Sequence, residues 1–111
     1  MIACAFKIAN PLGCGFSEKV YENALVHELR KTGLVVRQRE PITVFYDGVV
    51  VGDFFADLII ENSVVIELKA TRELSDVFTA QRLNDLKATS LPLCWLINFG
   101  RTKIENKRFR L

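Results

Sequence analysis

Apolar residues at Val20, Tyr21, Ala24, Leu25 and Leu29 recur at the three- and four-residue spacing of one helical face, predicting a helix from Glu18 to about Lys31. Ser17 stands at its N-cap, Glu18 in the first turn suits the helix dipole, and Gly33 supplies an end. A shorter apolar helix over residues 1–9 is expected to stop at Pro11, with a loop at Gly13-Cys14-Gly15. From Val35 the period falls to two. Strands are expected over Val35–Glu40, interrupted by Pro41, then Ile42–Tyr46, Val49–Asp53 and Phe54–Ile60, with a hairpin turn at Asp47-Gly48, where both residues tolerate positive φ. Glu61-Asn62-Ser63 turns the chain into Val64–Ala70. Ser75 caps a helix of about Asp76–Ala88, Pro92 precedes the apolar strand Leu93–Asn98, and the tail Lys103–Leu111 reads as an edge strand or an extended arm.

A strand, a helix and a second apolar strand in succession (64–70, 76–88, 93–98) predict a right-handed parallel crossover. The expected class is therefore α/β, with a mixed four- to five-stranded sheet flanked by helices. At 111 residues, half of them apolar and a quarter charged, the chain suits one domain over residues 1–111 and excludes a disordered polymer. Its longest apolar runs, such as Leu93–Ile97, are far below the roughly 20 residues of a membrane span. Met1–Phe6 lacks a preceding basic stretch, so no signal peptide is expected. Cys4, Cys14 and Cys94 form neither an even set nor a C-x-x-C pair, which suits free thiols and a cytoplasmic location. A net charge of +2 gives no argument for nucleic acid.

One strand breaks its own pattern. Val64–Ala70 is apolar enough to be buried on both faces, yet it carries Glu67 and Lys69, which period-two geometry sends to the same face. Removing an ion from water costs several kcal/mol, so a buried strand keeps such a pair only beside compensating groups; an exposed strand end with a surface ion pair gives the same pattern. The preceding strand carries a single acid, Asp57. A two-residue turn at Asn62-Ser63 would put Asp57 and Glu67 on opposite faces. A three-residue loop, Glu61-Asn62-Ser63, instead closes on Ile60 and Val64, setting Asp57 across from Glu67 and Phe55 across from Lys69. The three-residue loop is preferred because Asn tolerates the left-handed conformation and the closing pair is apolar. Opposed carboxylates about 5 Å apart at Cβ can share a cation. Hard oxygen ligands suit Mg²⁺ or Mn²⁺ rather than zinc, and Lys69 could hold a hydroxide nucleophile or stabilise charge developing on a phosphate. Acid, acid and lysine on one face make a phosphodiesterase site.

These residues resemble a known family. Asp57 followed by Glu67-Leu68-Lys69 is similar to the D…(D/E)xK signature of the PD-(D/E)xK nuclease superfamily, and Gly15-Phe16-Ser17-Glu18-Lys19-Val20-Tyr21 resembles the motif that names its GxxExxY family. Tyr21–Leu25, Ala56-Asp57-Leu58, Glu67–Ala70, Ala80-Gln81, Leu86–Thr89 and Leu96–Gly100 resemble that family's segments in order. The resemblance implies a restriction-endonuclease-like core (α-β-β-β-α-β) and a metal-dependent nuclease acting on nucleic acid, DNA by expectation. It implies Asp57, Glu67 and the Leu68 carbonyl as ligands of Mg²⁺ or Mn²⁺ and Lys69 as the catalytic lysine. Glu18 would be an acid from the first core helix, serving a second metal or the groups around it, and Gln81 would open a Q-x-x-x-Y motif near the site. Two positions depart from the pattern: Ala56 stands in place of proline, and Asp85 in place of that motif's tyrosine.

Other readings compete. A first-turn Glu18 is also what the helix dipole favours, and Glu28 falls nearer the centre of the apolar arc. His27 has no second ligand at metal spacing, and Tyr21 suits core packing. Basic residues between Arg30 and Arg39 and between Arg101 and Arg110 could rim an acidic centre or simply face solvent. The alternative to a nuclease is a catalytically silent nuclease-like module that binds nucleic acid or a protein partner; a third reading is an oligomerising structural subunit. One small domain leaves specificity to loops, a second copy in a homodimer, or a partner.

Overall fold

The computed structural model describes residues 2–72 and 76–110, without the side chains at positions 76, 78, 81, 82, 85 and 86. Its elements are α1 (Ile2–Leu12), α2 (Glu18–Lys31), β1 (Val36–Tyr46), β2 (Val49–Ile60), β3 (Val64–Lys69), α3 (Asp76–Lys87), β4 (Leu93–Asn98) and β5 (Glu105–Arg110). The strands form one sheet in the order β1-β2-β3-β4-β5. Only β3 and β4 run parallel, as a helical connection between them requires; the other neighbours are antiparallel, so the sheet is mixed and the class α/β. The tail is an edge strand, with Leu93 opposite Arg110 and Asn98 opposite Glu105.

Several boundaries differ from expectation, each for a local reason. Pro11 lies inside α1 instead of ending it. A proline forfeits only its own amide bond, and the Gly13 amide still closes on the Ala9 carbonyl at 2.8 Å. Pro41 does not interrupt β1 but sits within it, opposite Phe55. Because β1 is an edge strand, a residue without an N–H can be accommodated there. Likewise the two segments expected between Val49 and Ile60 are one strand of 12 residues. The hairpin turn is as expected, with Asp47 at φ 52° and Gly48 at φ 75°. A register shift just below it leaves Val51 unpaired. Ser17 occupies the N-cap of α2 with extended backbone but makes no side-chain cap bond, and the Ser75 cap falls outside the described residues. At the other end of α2, Gly33 at φ 87° donates to the Arg30 carbonyl while Leu34 donates to Leu29, which satisfies the last carbonyls.

α2 buries Tyr21, Glu22, Leu25, Val26 and Leu29, whereas Val20, assigned to that face by the sequence pattern, is exposed. With Ala5 and Ile8 of α1 these apolar residues cover one sheet face, formed by Val36, Leu58, Ile60, Ile66, Leu68, Trp95 and Ile97. The opposite face holds a smaller cluster of Ala56, Ile59, Val65 and Cys94, with Ile42, Leu91 and Phe109 against it. Burial raises the Cys94 thiol above its usual range. Away from both clusters the β1–β2 hairpin runs out as an arm with Phe45, Tyr46, Val49, Val50, Val51 and Phe55 exposed.

Candidate active site

The loop between β2 and β3 has three residues. Ile60 pairs with Val64 across it, and Glu61 and Asn62 both take left-handed backbone angles. From that closure the ladder runs through Ile59↔Val65 to Leu58↔Ile66, and there it ends. One step further, side chains replace the ladder. The Leu68 amide donates to Asp57 Oδ2 at 2.8 Å, and the Asp57 amide donates to Glu67 Oε1 over a longer 3.4 Å. The two carboxylates are therefore brought together where the strands part. The expected opposition of Phe55 and Lys69 does not occur, because β2 has left β3 by then; Phe55 is exposed, with the Arg39 guanidinium 5.1 Å from its ring centre.

A kink on β1 matches the parting. The β1–β2 ladder pairs Gln38 with Leu58 and Glu40 with Ala56 but skips Arg39 and Asp57, and Arg39 has φ 52°. Val36 and Leu58 pack on the α2 side, while Ile42 and Ala56, an even number of residues away, pack on the other side. Strict alternation would keep all four on one face. Both strands thus change faces at Arg39 and Asp57, which frees the Asp57 carboxylate to reach across to β3. A left-handed non-glycine residue costs about 1–2 kcal/mol, so the kink is held by its surroundings.

Glu67 is buried in the central strand and Lys69, at its end, is half-buried. Lys69 is paired with Asn98, and its carbonyl accepts the Phe99 amide at 2.8 Å. Asn98 is fully buried and has all four of its side-chain hydrogen bonds. Its Oδ1 accepts from the Thr71 and Gly100 amides at 3.0 and 2.9 Å, and its Nδ2 donates to the Thr71 carbonyl and Glu105 Oε1 at 2.9 and 3.0 Å. Gly100 is needed beside it: a Cβ there would lie 2.0 Å from the Thr71 carbonyl oxygen. The chain leaving Lys69 is therefore fixed to the ends of β4 and β5.

A family model of the PD-(D/E)XK nuclease superfamily matches residues 1–110. The chain belongs to the PD-(D/E)XK nuclease superfamily. No curated protein and no solved structure matches it. Ala56-Asp57 and Glu67-Leu68-Lys69, the segments expected from the sequence to carry the superfamily's signature, flank the parting strands. Ala56, in the place of proline, is fully buried in the smaller core cluster.

Of the other site residues expected in this PD-(D/E)XK chain, Glu18 is exposed in the first turn of α2. Gln81 belongs to α3, and its side chain lies outside the described residues. Among the described residues no group of three potential metal-ligating side chains is assembled, so the structure does not bring Glu18 to Asp57 and Glu67. The acid that α2 does bury is Glu22, whose Oε2 accepts from Lys19 Nζ at 2.9 Å and Gln38 Nε2 at 2.7 Å. Gln38 is paired with Leu58, the neighbour of Asp57, so Glu22 reaches the level of the sheet where the strands part. A signal for it was available, because Glu22, Leu25, Val26 and Leu29 follow the i, i+3, i+4, i+7 spacing. Two carboxylates of a hard-oxygen type, meeting at a strand end beside a lysine, fit a small divalent cation whose remaining ligands are water or substrate.

Proposed function

We propose that this chain is a metal-dependent phosphodiesterase of the GxxExxY family that hydrolyses DNA, with Mg²⁺ or Mn²⁺ held by Asp57, Glu67 and the Leu68 carbonyl. The observation that carries this reading is the meeting of Asp57 and Glu67 where β2 and β3 separate, with Lys69 two residues along β3. A divalent cation at that place supplies Lewis acidity toward a phosphate oxygen and lowers the pKa of a bound water. The protein's own part is positional. The Leu68 amide fixes the Asp57 carboxylate, the buried strand fixes Glu67, and the Asn98 clamp fixes the backbone that follows Lys69. When water attacks phosphorus and the bond to the leaving oxygen breaks, negative charge grows on the non-bridging oxygens, and the Lys69 ammonium is the group the family resemblance assigns to stabilise it. Glu18, exposed at the start of α2, would act only on parts of the substrate that extend past the two carboxylates, and Gln81 keeps the supporting role the family resemblance gives it.

Incubating purified protein with linear and supercoiled DNA in Mg²⁺ or Mn²⁺ tests the reading. Cleavage is expected, and it should be abolished by chelator and by Asp57→Asn or Lys69→Ala. Cleavage that survives both substitutions would overturn it, and salt-sensitive binding without turnover would leave a nuclease-like binding module in its place.

A further inference from the structure

Two sequence motifs touch none of the reacting groups of the proposed chemistry: the tyrosine of Gly15–Tyr21 and the Asn98-Phe99-Gly100 segment. They meet in space. The Tyr21 ring stacks on Phe99 with centroids 4.8 Å apart, and its hydroxyl donates to the Gly13 carbonyl at 2.6 Å while accepting the Phe16 amide at 3.3 Å. Tyr21 therefore pins the Gly13–Gly15 loop against the carboxyl ends of β3 and β4. On the other side the Asn98 bonds and the close approach of Gly100 to Thr71 pin the chain after Lys69. Between these two fixed walls lies a cleft of about 630 Å³, lined by Cys14, Arg72, Gly100, Arg101 and Thr102.

The lining has a definite chemistry. Arg72 and Arg101 are exposed guanidiniums, planar forks suited to phosphate oxygens. Arg101 has one acidic neighbour among the described residues, Glu105 at 3.9 Å, a loose contact whose carboxylate is also engaged by Asn98. The cleft opens at the carboxyl ends of the parallel strands, where open α/β sheets bind ligands, and Arg72 is three residues beyond Lys69. We propose that this cleft is a phosphodiester subsite, in which Arg72 and Arg101 grip the backbone of a nucleic-acid strand next to the phosphate at Asp57 and Glu67. Tyr21 and Asn98 are its positioning residues. The subsite supplies a substrate contact for the site under Proposed function and rests on that reading for its direction along the strand.

The test measures binding of a fluorescently labelled single-stranded oligodeoxynucleotide without divalent metal, across a salt series, so that cleavage plays no part. The variant Arg72→Ala/Arg101→Ala is expected to bind about tenfold or more weakly, with the salt dependence of log K reduced by about 0.7 for each phosphate that is no longer neutralised. Arg110→Ala removes the same kind of charge at the opposite end of β4 and should change affinity less than twofold. Tyr21→Phe keeps the ring but frees the loop, and should weaken binding with the salt slope unchanged. In a footprint, the bound strand should slow alkylation of the exposed Cys14, with buried Cys94 as the reference for intact folding. Equal losses in the double variant and Arg110→Ala would overturn the subsite, as would wild-type protein that binds no strand. Displacement of the strand by inorganic phosphate at matched ionic strength, with Cys14 protected by phosphate alone, would assign the cleft to a free anion and overturn it too. Asp57→Asn separates the two readings: without a divalent cation it removes a negative charge beside the bound strand, so binding should hold or tighten while cleavage is lost. Strand binding through the cleft with no cleavage in any metal defeats the nuclease reading alone, whereas cleavage indifferent to Arg72 and Arg101 defeats the subsite alone.

Discussion

Asn98 and Asp57 each stand where side-chain bonds take over from strand pairing, and they do so with opposite chemistry. Asn98 is a neutral amide with both donors and both acceptor positions used, at the end of β4 and away from solvent. Asp57 is a partly exposed carboxylate that takes the Leu68 amide and stands against a second carboxylate. A saturated amide holds two backbone segments at a fixed distance and has nothing left to offer a ligand. Two like charges side by side repel each other in the absence of a cation, which is a poor way to build a scaffold and a good way to attract a divalent ion. One residue builds the frame, and the other, by the proposal above, carries the chemistry.

Substitution should separate the two roles. The largest effects are expected on turnover: Lys69→Ala should lower DNA cleavage by about 100- to 1,000-fold, the usual cost of removing a group that stabilises transition-state charge. Asp57→Asn should cost more than the roughly 10–100-fold associated with loss of an outer-shell partner of a metal. Circular dichroism should show that variant melting close to wild type, since an amide oxygen still accepts the Leu68 N–H. Asn98→Ala should do the reverse. It removes the bonds that Asn98 makes to the Thr71 and Gly100 amides and the Thr71 carbonyl, so denaturant titration should show a loss of about 3–5 kcal/mol. A cleavage deficit in Asn98→Ala that persists under conditions where it is fully folded would blur the distinction.

Gly100→Ala comes next, because its methyl must push the Thr71 backbone aside; about 1–3 kcal/mol of stability should go. The smallest effect concerns a pair remote from both sites. The Lys7 ammonium, 3.0 Å from Glu28, holds that carboxyl below its ordinary range, and Glu28 raises Lys7 in return. The pair's contribution is thus present above the ordinary carboxylate pKa and lost as pH falls through the depressed value, or as pH rises through that of Lys7. Lys7 is exposed and Glu28 only partly buried, so Glu28→Gln should lower the melting temperature slightly at neutral pH and not at all in strong acid.

The meeting of Asp57 and Glu67 was legible in the sequence because strand periodicity and loop length are short-range properties. Ile60, Val64 and a three-residue loop set which residues meet, and Asp57 and Glu67 follow from that register. Periodicity could not show that pairing stops at Leu58 and Ile66, since the break coincides with the left-handed Arg39 on another strand. The same limit explains the two extra strand boundaries around Pro41 and Asp53: local residues suggested an interruption, and pairing with a neighbour ran through it. On α2, Val20 and Ala24 drew the apolar arc toward Glu18, whereas packing against the sheet turned the helix so that Glu22 went inside. Asn98 carries no local mark of its importance, because its four partners lie on three separate segments.

The separation of β2 from β3 also divides β2 mechanically. Past Asp57 the strand ladder joins it only to β1, so among the described residues no ladder pairing ties the arm that ends at Asp47-Gly48 to β3. The tip of that hairpin is therefore a natural attachment point: a peptide tag or fluorescent reporter inserted between Asp47 and Gly48 would ride on the arm while the carboxylates kept their spacing.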